Sequence, residues 1–125
     1  MSDEKSKILV IDDNQSSRYL YKTVLTNTGK YNVILCPNLR EGLKTFYKIN
    51  PDLVVLDMDL PDGTGVDFLT EIRSKNNTTK VIVISAIKNS DVIIKSAKLG
   101  IGTYLIKPVD INKFLEKVKE FLQQE

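Results

Sequence analysis

Short apolar runs rich in Val and Ile alternate along the chain with longer segments whose apolar residues recur at helical spacing. The runs are KILVI (Lys7 to Ile11), NVILC (Asn32 to Cys36), LVVLD (Leu53 to Asp57), VIVIS (Val81 to Ser85) and TYLIK (Thr103 to Lys107). They scarcely alternate apolar with polar, which is how strands covered on both faces read. Ser16 to Thr28 predicts a first helix stopped by Gly29, and Asn38 to Ile49 a second, with Leu39, Leu43 and Phe46 on one side and Pro51 beyond. Thr64 to Ser74 predicts a third, with Leu69 and Ile72 inward; a fourth runs from a capping Ser90 to Leu99, before Gly100. Asp110 caps a fifth, in which Ile111, Phe114, Leu115, Val118 and Leu122 form an apolar stripe. Gly42 sits inside the second helix at a cost of ~1 kcal/mol against Ala. Five repeats of strand then helix imply an α/β fold: a doubly wound parallel sheet with helices on both faces, joined by right-handed crossovers.

Open sheets of this kind bind ligands at the carboxyl ends of their strands. The first run ends in Asp12 and Asp13, the third in Asp57 with Asp59 two residues on, the fourth in Ser85, and the fifth in Lys107 followed by Pro108. The second offers Cys36, which reads as a small residue at a strand end. Carboxylates gathered at one edge repel unless a cation joins them, and hard oxygen ligands suit magnesium. A lysine and a hydroxyl beside them would neutralise and hydrogen-bond phosphoryl oxygens. Together they describe phosphoryl transfer with Asp57 as the acceptor carboxylate. Singly, each residue has a plainer reading: Asp12 or Asp13 as a helix cap, Asp57 to Asp62 as a surface turn, Ser85 as a loop hydroxyl, Lys107 as a solvated cation.

Composition narrows the field. At 125 residues the chain makes one domain, 1–125, with an expected ordered core of about 6–123. It has no histidine, which excludes a His-based triad, a histidine acid–base and imidazole-ligated zinc. A net charge of +2 is too weak to argue for nucleic acid, and no helix-turn-helix pattern or arginine stripe appears. No run is long enough to span a membrane, the opening MSDEKSK lacks a signal peptide's apolar region, and a single cysteine fits a reducing cytoplasm.

Over essentially its whole length the chain resembles the receiver domain of two-component response regulators, of the standalone chemotaxis-like type. ILVIDDNQSSRYL resembles the family's first strand and acidic pair, and PDLVVLDMDLPDGTG its phosphoacceptor strand and loop. VIVISA resembles its Ser/Thr strand and AKLGIGTYLIKP its aromatic and Lys-Pro segment. The resemblance implies the strand order 2-1-3-4-5. It also implies phosphorylation of Asp57, with Mg2+ held by Asp12, Asp13, Asp57 and the backbone carbonyl of Asp59. Ser85 and Lys107 would contact the phosphoryl group, Ser85 and Tyr104 would act as the switch pair, and the Lys107–Pro108 bond would be cis. The implied donor is a histidine kinase or histidine phosphotransfer protein docking beside the first helix. The implied readout is a downstream protein target at the fourth helix, fifth strand and fifth helix. Gly102-Thr103 stands where DNA-binding receivers carry paired acids, and Lys113, Lys117 and Lys119 replace arginines on the last helix. A monomer or weak dimer is expected.

Two rivals stand beside this reading. VVLDMDLP also resembles the haloacid-dehalogenase motif of phosphohydrolases with an aspartate nucleophile. Against that, Pro61 stands where the motif wants Thr or Val, the strand is third rather than first, and no acidic cluster follows Lys107. The other rival is a phosphorylation-independent binding module, against which stands the presence of every motif residue.

Overall fold

The structure, a computed structural model, describes residues 5–122. The start of the opening stretch and residue 123, the upper bound of the expected core, lie outside the described residues. Five parallel strands form one sheet: β1 (Ser6–Ile11), β2 (Tyr31–Cys36), β3 (Leu53–Leu56), β4 (Lys80–Ser85) and β5 (Thr103–Ile106). Their spatial order is 2-1-3-4-5. Five helices, α1 (Gln15–Thr26), α2 (Leu39–Ile49), α3 (Gly65–Ser74), α4 (Ser90–Lys98) and α5 (Ile111–Leu122), alternate with the strands. Among the described residues no helix is long and apolar enough to cross a membrane.

Each strand sends alternate side chains to opposite faces, and both faces are cores. Ile8, Val10, Leu53, Val55, Ile82 and Ile84 meet Tyr21 and Leu25 of α1 and Phe114 and Val118 of α5. Leu9, Ile11, Val54, Leu56, Val81 and Val83 meet Phe46 of α2 and Phe68, Leu69 and Ile72 of α3. This is why the central runs carry no polar alternation. β2 departs from the expectation: as an edge strand it is half-buried at Val33, Ile34 and Leu35.

The helix ends follow from their caps. The Asn14 side chain accepts from Ser17 N–H, so α1 begins one residue earlier than the pattern predicts and neither Asp12 nor Asp13 is its cap. α4 is capped by Asn89 rather than Ser90: the amide oxygen takes the N–H groups of Asp91 and Val92, and Ser90 becomes the first helical residue. α2 ends in a left-handed Asn50 (φ 48°) just before Pro51, and Gly29 turns the chain after α1 at φ 75°. The helical Gly42 has a packing reason. A Cβ there would stand 2.6 Å from Ile11 Cδ1, so α2 lies against β1 only where no side chain intervenes.

Candidate functional site

β3 and β5 stop one residue before the pattern predicts, which leaves Asp57 and Lys107 as the first residues past their strands. Both are still held by the ladder: Asp57 N–H donates to Ile11 O at 3.0 Å and Lys107 N–H to Ser85 O at 2.9 Å. Asp12 N–H likewise donates to Cys36 O at 3.1 Å. Adjacent parallel strands in register therefore deliver Asp12, Asp57, Ser85 and Lys107 to one edge. Asp12 and Asp57 are buried at 2% and 5% exposure and Ser85 at 0%, while Asp13 is exposed.

Carboxylate oxygens of Asp12, Asp13 and Asp57 all lie within 4.8 Å of one another. Lys107 Nζ reaches between two of them, at 2.9 Å from Asp12 Oδ2 and 3.0 Å from Asp57 Oδ2. The remaining oxygens are also occupied: Asp12 Oδ1 accepts from Asn14 N–H at 2.8 Å, and Asp57 Oδ1 from Asp59 N–H at 3.1 Å. Burial pushes the Asp12 carboxyl above the ordinary range, against the pull of the Asn14 amide and Lys107. Burial would lower the Lys107 ammonium. Its hydrogen bonds to Asp12 and Asp57, with their charges, outweigh that and raise it above its ordinary value. Three carboxylates against one ammonium leave the cluster net negative. Oxygen-only ligands of that charge are the donor set a hard divalent cation such as Mg2+ takes.

Ser85 and Tyr104 converge on one residue. Ser85 Oγ accepts from Ile87 N–H at 3.2 Å, and the half-buried Tyr104 hydroxyl donates to Ile87 O at 2.7 Å. The Lys107–Pro108 peptide is cis. Asp59 and Leu60 pair antiparallel with Thr64 and Gly63, making a short hairpin that turns at Pro61 and Asp62.

Three participants escape sequence reasoning. Arg18 donates from its guanidinium to the backbone carbonyl of Asp12 at 2.8 Å, fixing the acidic turn; its place on α1, one turn past Asn14, is the one available signal. Met58 is buried beneath α4, with Ser96 Oγ 3.6 Å from its sulfur, and packs where a Cβ on Gly65 would stand 2.4 Å from its methyl. Asp62 accepts from the N–H groups of Leu39 and Arg40 at the start of α2, at 2.7 and 2.9 Å.

Comparison with known proteins decides between the two resemblances carried by the Asp57 stretch. The family profile of the response regulator receiver domain matches residues 8–119. Sporulation initiation phosphotransferase F of Bacillus subtilis is 34% identical over 116 residues, covering 93% of this chain and 93% of that protein. Chemotaxis protein CheY of Listeria monocytogenes is 27% identical, covering 91% of this chain and 96% of its own length. A two-component response regulator from Clostridium difficile, solved by crystallography, superposes with a TM-score of 0.89 at 28% identity, over 96% of this chain and 98% of that one. The chain belongs to the response regulator receiver domain family, signalling regulators of two-component systems rather than enzymes of turnover.

Proposed function

We propose that Asp57 accepts a phosphoryl group from the phosphohistidine of a histidine kinase or histidine phosphotransfer protein. A carboxylate oxygen of Asp57 forms the new bond to phosphorus as the phosphorus–nitrogen bond to the donor imidazole breaks, its electron pair returning to the ring nitrogen. Asp12, Asp13, Asp57 and the backbone carbonyl of Asp59 would hold Mg2+, and a hard divalent ion there would supply neutralisation of phosphoryl charge. Lys107, already bonded to Asp57, moves its ammonium onto a phosphoryl oxygen. The observation that carries this reading is the meeting of three carboxylates within 4.8 Å, with Lys107 bonded to two of them.

The readout follows from Ile87. Ser85 holds its N–H and Tyr104 its carbonyl, so a Ser85 hydroxyl that turns to the phosphoryl group releases the loop leading into α4. Tyr104 then turns inward, and the face formed by α4, β5 and α5 changes for a downstream protein partner. Phosphorylation biases this equilibrium by binding one arrangement better than the other. Support for donor docking beside α1 comes from Tyr19 and Leu20, apolar side chains left 72% and 42% exposed next to the acidic turn.

The test is incubation with acetyl phosphate and Mg2+, followed by intact mass measurement. Wild type is expected to gain one phosphoryl group and Asp57→Asn none. A wild type that gains nothing, or an Asp57→Asn protein that gains as much, overturns the assignment.

A further inference from the structure

Asp62 lies outside the cluster of acids, and a turn explains its presence without assigning it any task. Its environment is unusual for a turn residue. Both carboxylate oxygens are engaged, Oδ1 with Leu39 N–H at 2.7 Å and Oδ2 with Arg40 N–H at 2.9 Å. These are free amides in the first turn of α2, and the pairing crosses more than twenty residues of chain. α2 does not depend on Asp62 for a cap. Asn38 already supplies one locally, its side chain accepting from Glu41 N–H at 2.8 Å. A helix that carries its own cap and takes a second from a distant loop is serving as an anchor for that loop.

The loop in question is the hairpin that begins two residues after Asp57. Its strands pair Asp59 with Thr64 and Leu60 with Gly63, which leaves Pro61 and Asp62 at the tip. The tip rests on α2 so closely that a Cβ on Gly63 would stand 2.5 Å from Leu39 Cδ2. At the other end of the hairpin, Asp59 N–H donates to Asp57 Oδ1 and Gly65 N–H to Met58 O. The path from α2 to the acceptor carboxylate is therefore short and made of directional bonds: α2 amides to Asp62, hairpin pairing to Asp59, Asp59 amide to Asp57.

We infer that Asp62 is a positioning residue for the metal and acceptor site, fixing the backbone of Asp59 and through it the Asp57 carboxylate by mooring the hairpin tip to the start of α2. The inference rests on the receiver reading above, in which the Asp59 carbonyl is a ligand. A ligand carbonyl on a hairpin free to swing would be held at the site for only part of the time, and metal affinity would fall by that fraction. Groups that orient metal ligands without touching the metal carry weight of this kind.

Magnesium titration of the whole chain, followed by amide chemical shifts, separates this from simple capping. Three variants serve, with melting temperature recorded for each: Asp62→Ala, Asp62→Asn and Asn38→Ala. Asp62→Ala and Asn38→Ala each remove a cap of α2 and are both expected to lower the melting temperature. Asp62→Ala alone is expected to weaken Mg2+ binding, by about tenfold. Asp62→Asn keeps one acceptor oxygen and is expected to fall between Asp62→Ala and wild type. Binding by Asp62→Ala within about twofold of wild type, where an orienting group should cost more, overturns the inference. So does an equal loss in Asn38→Ala, because the effect then belongs to α2 stability. If wild type itself shows no response to Mg2+, the receiver-site reading falls and the inference falls with it.

Discussion

Helices α3 and α4 lie side by side on the same face of the sheet, and each follows a strand that leads into a site residue. They are held in different ways. α3 begins with a reciprocal capping box, in which the Thr64 hydroxyl accepts from Asp67 N–H and Asp67 accepts from Thr64 N–H, both at 3.0 Å. It buries Phe68, Leu69 and Ile72 completely. α4 begins on a neutral asparagine, and the one residue it buries among those described is polar: Ser96, which bonds back to Val92 O. Its apolar contacts, Val92 and Leu99, are partial, and Ile94 faces solvent at 52% exposure. The difference assigns the two helices different work. α3 is firmly capped and packed directly after the hairpin that follows Asp57. α4, with few buried apolar contacts, has the marks of low local stability; it is the helix that the proposed turn of Ser85 would displace.

The largest effect that follows is on stability. Phe68→Ala, which empties a fully buried site, should cost about 3–5 kcal/mol. Ile94→Ala on the exposed face of α4 should stay within about 0.5 kcal/mol. Urea unfolding of the two variants measures both. Losses of similar size would erase the contrast between the helices.

The bridge between them gives the next prediction. Arg73, in the last turn of α3, donates to Leu99 O at 2.7 Å and Gly100 O at 2.9 Å just past α4, and to Asn77 O at 3.0 Å. Its removal leaves partly buried carbonyls unpaired, so Arg73→Ala should cost about 2 kcal/mol. Hydrogen exchange should quicken chiefly in α4 and the turn into β5, with α3 little affected. Arg73→Lys should not restore it, because a single ammonium cannot span three carbonyls. Uniform loss of protection across both helices would show that α4 is as firmly built as α3.

The sheet and the site were legible in the sequence for the same reason. A parallel sheet buried on both faces needs unbroken runs of Val, Ile and Leu, and a run that ends in Asp, Ser or Lys marks its own carboxyl end. Ile8 to Ile11 and Leu53 to Leu56 could hardly be read otherwise, and Asp12 and Asp57 follow them directly. What stayed hidden depends on pairings with no local signature. Ser90 and Asn89 are both good caps, and only the side-chain geometry selects Asn89. Gly42 looks like a cost until Ile11 is placed against it. Arg73 and Asp62 look like an ordinary helix end and an ordinary turn, because Leu99 and Gly100, which Arg73 bridges, and Leu39 and Arg40, which Asp62 holds, lie more than twenty residues away.

The smallest effect concerns pH and sets the hairpin that leads into α3, with its titratable anchor on α2, against the cap of α4. Hydrogen bonds from the Arg40 and Leu39 amides hold the Asp62 carboxyl below its ordinary value of 3.8. A carboxyl with a depressed folded-state pKa contributes stability that is complete above its unfolded value, near 4, and is lost as pH falls through the folded value. Asp62 should therefore lend the junction between this hairpin and the start of α2 a small acid-sensitive increment, confined to pH below about 4. The Asn89 cap of α4 does not titrate and has no counterpart. Acid unfolding followed by circular dichroism should show Asp62→Asn shedding that part of the acid limb while matching the shape of the wild-type curve at neutral pH. An unchanged acid limb would mean that the two amides do not favour the charged carboxylate. Asp62 would then rank with the neutral cap of α4, and the contrast between the helices would rest on the Thr64–Asp67 capping box and on Phe68, Leu69 and Ile72.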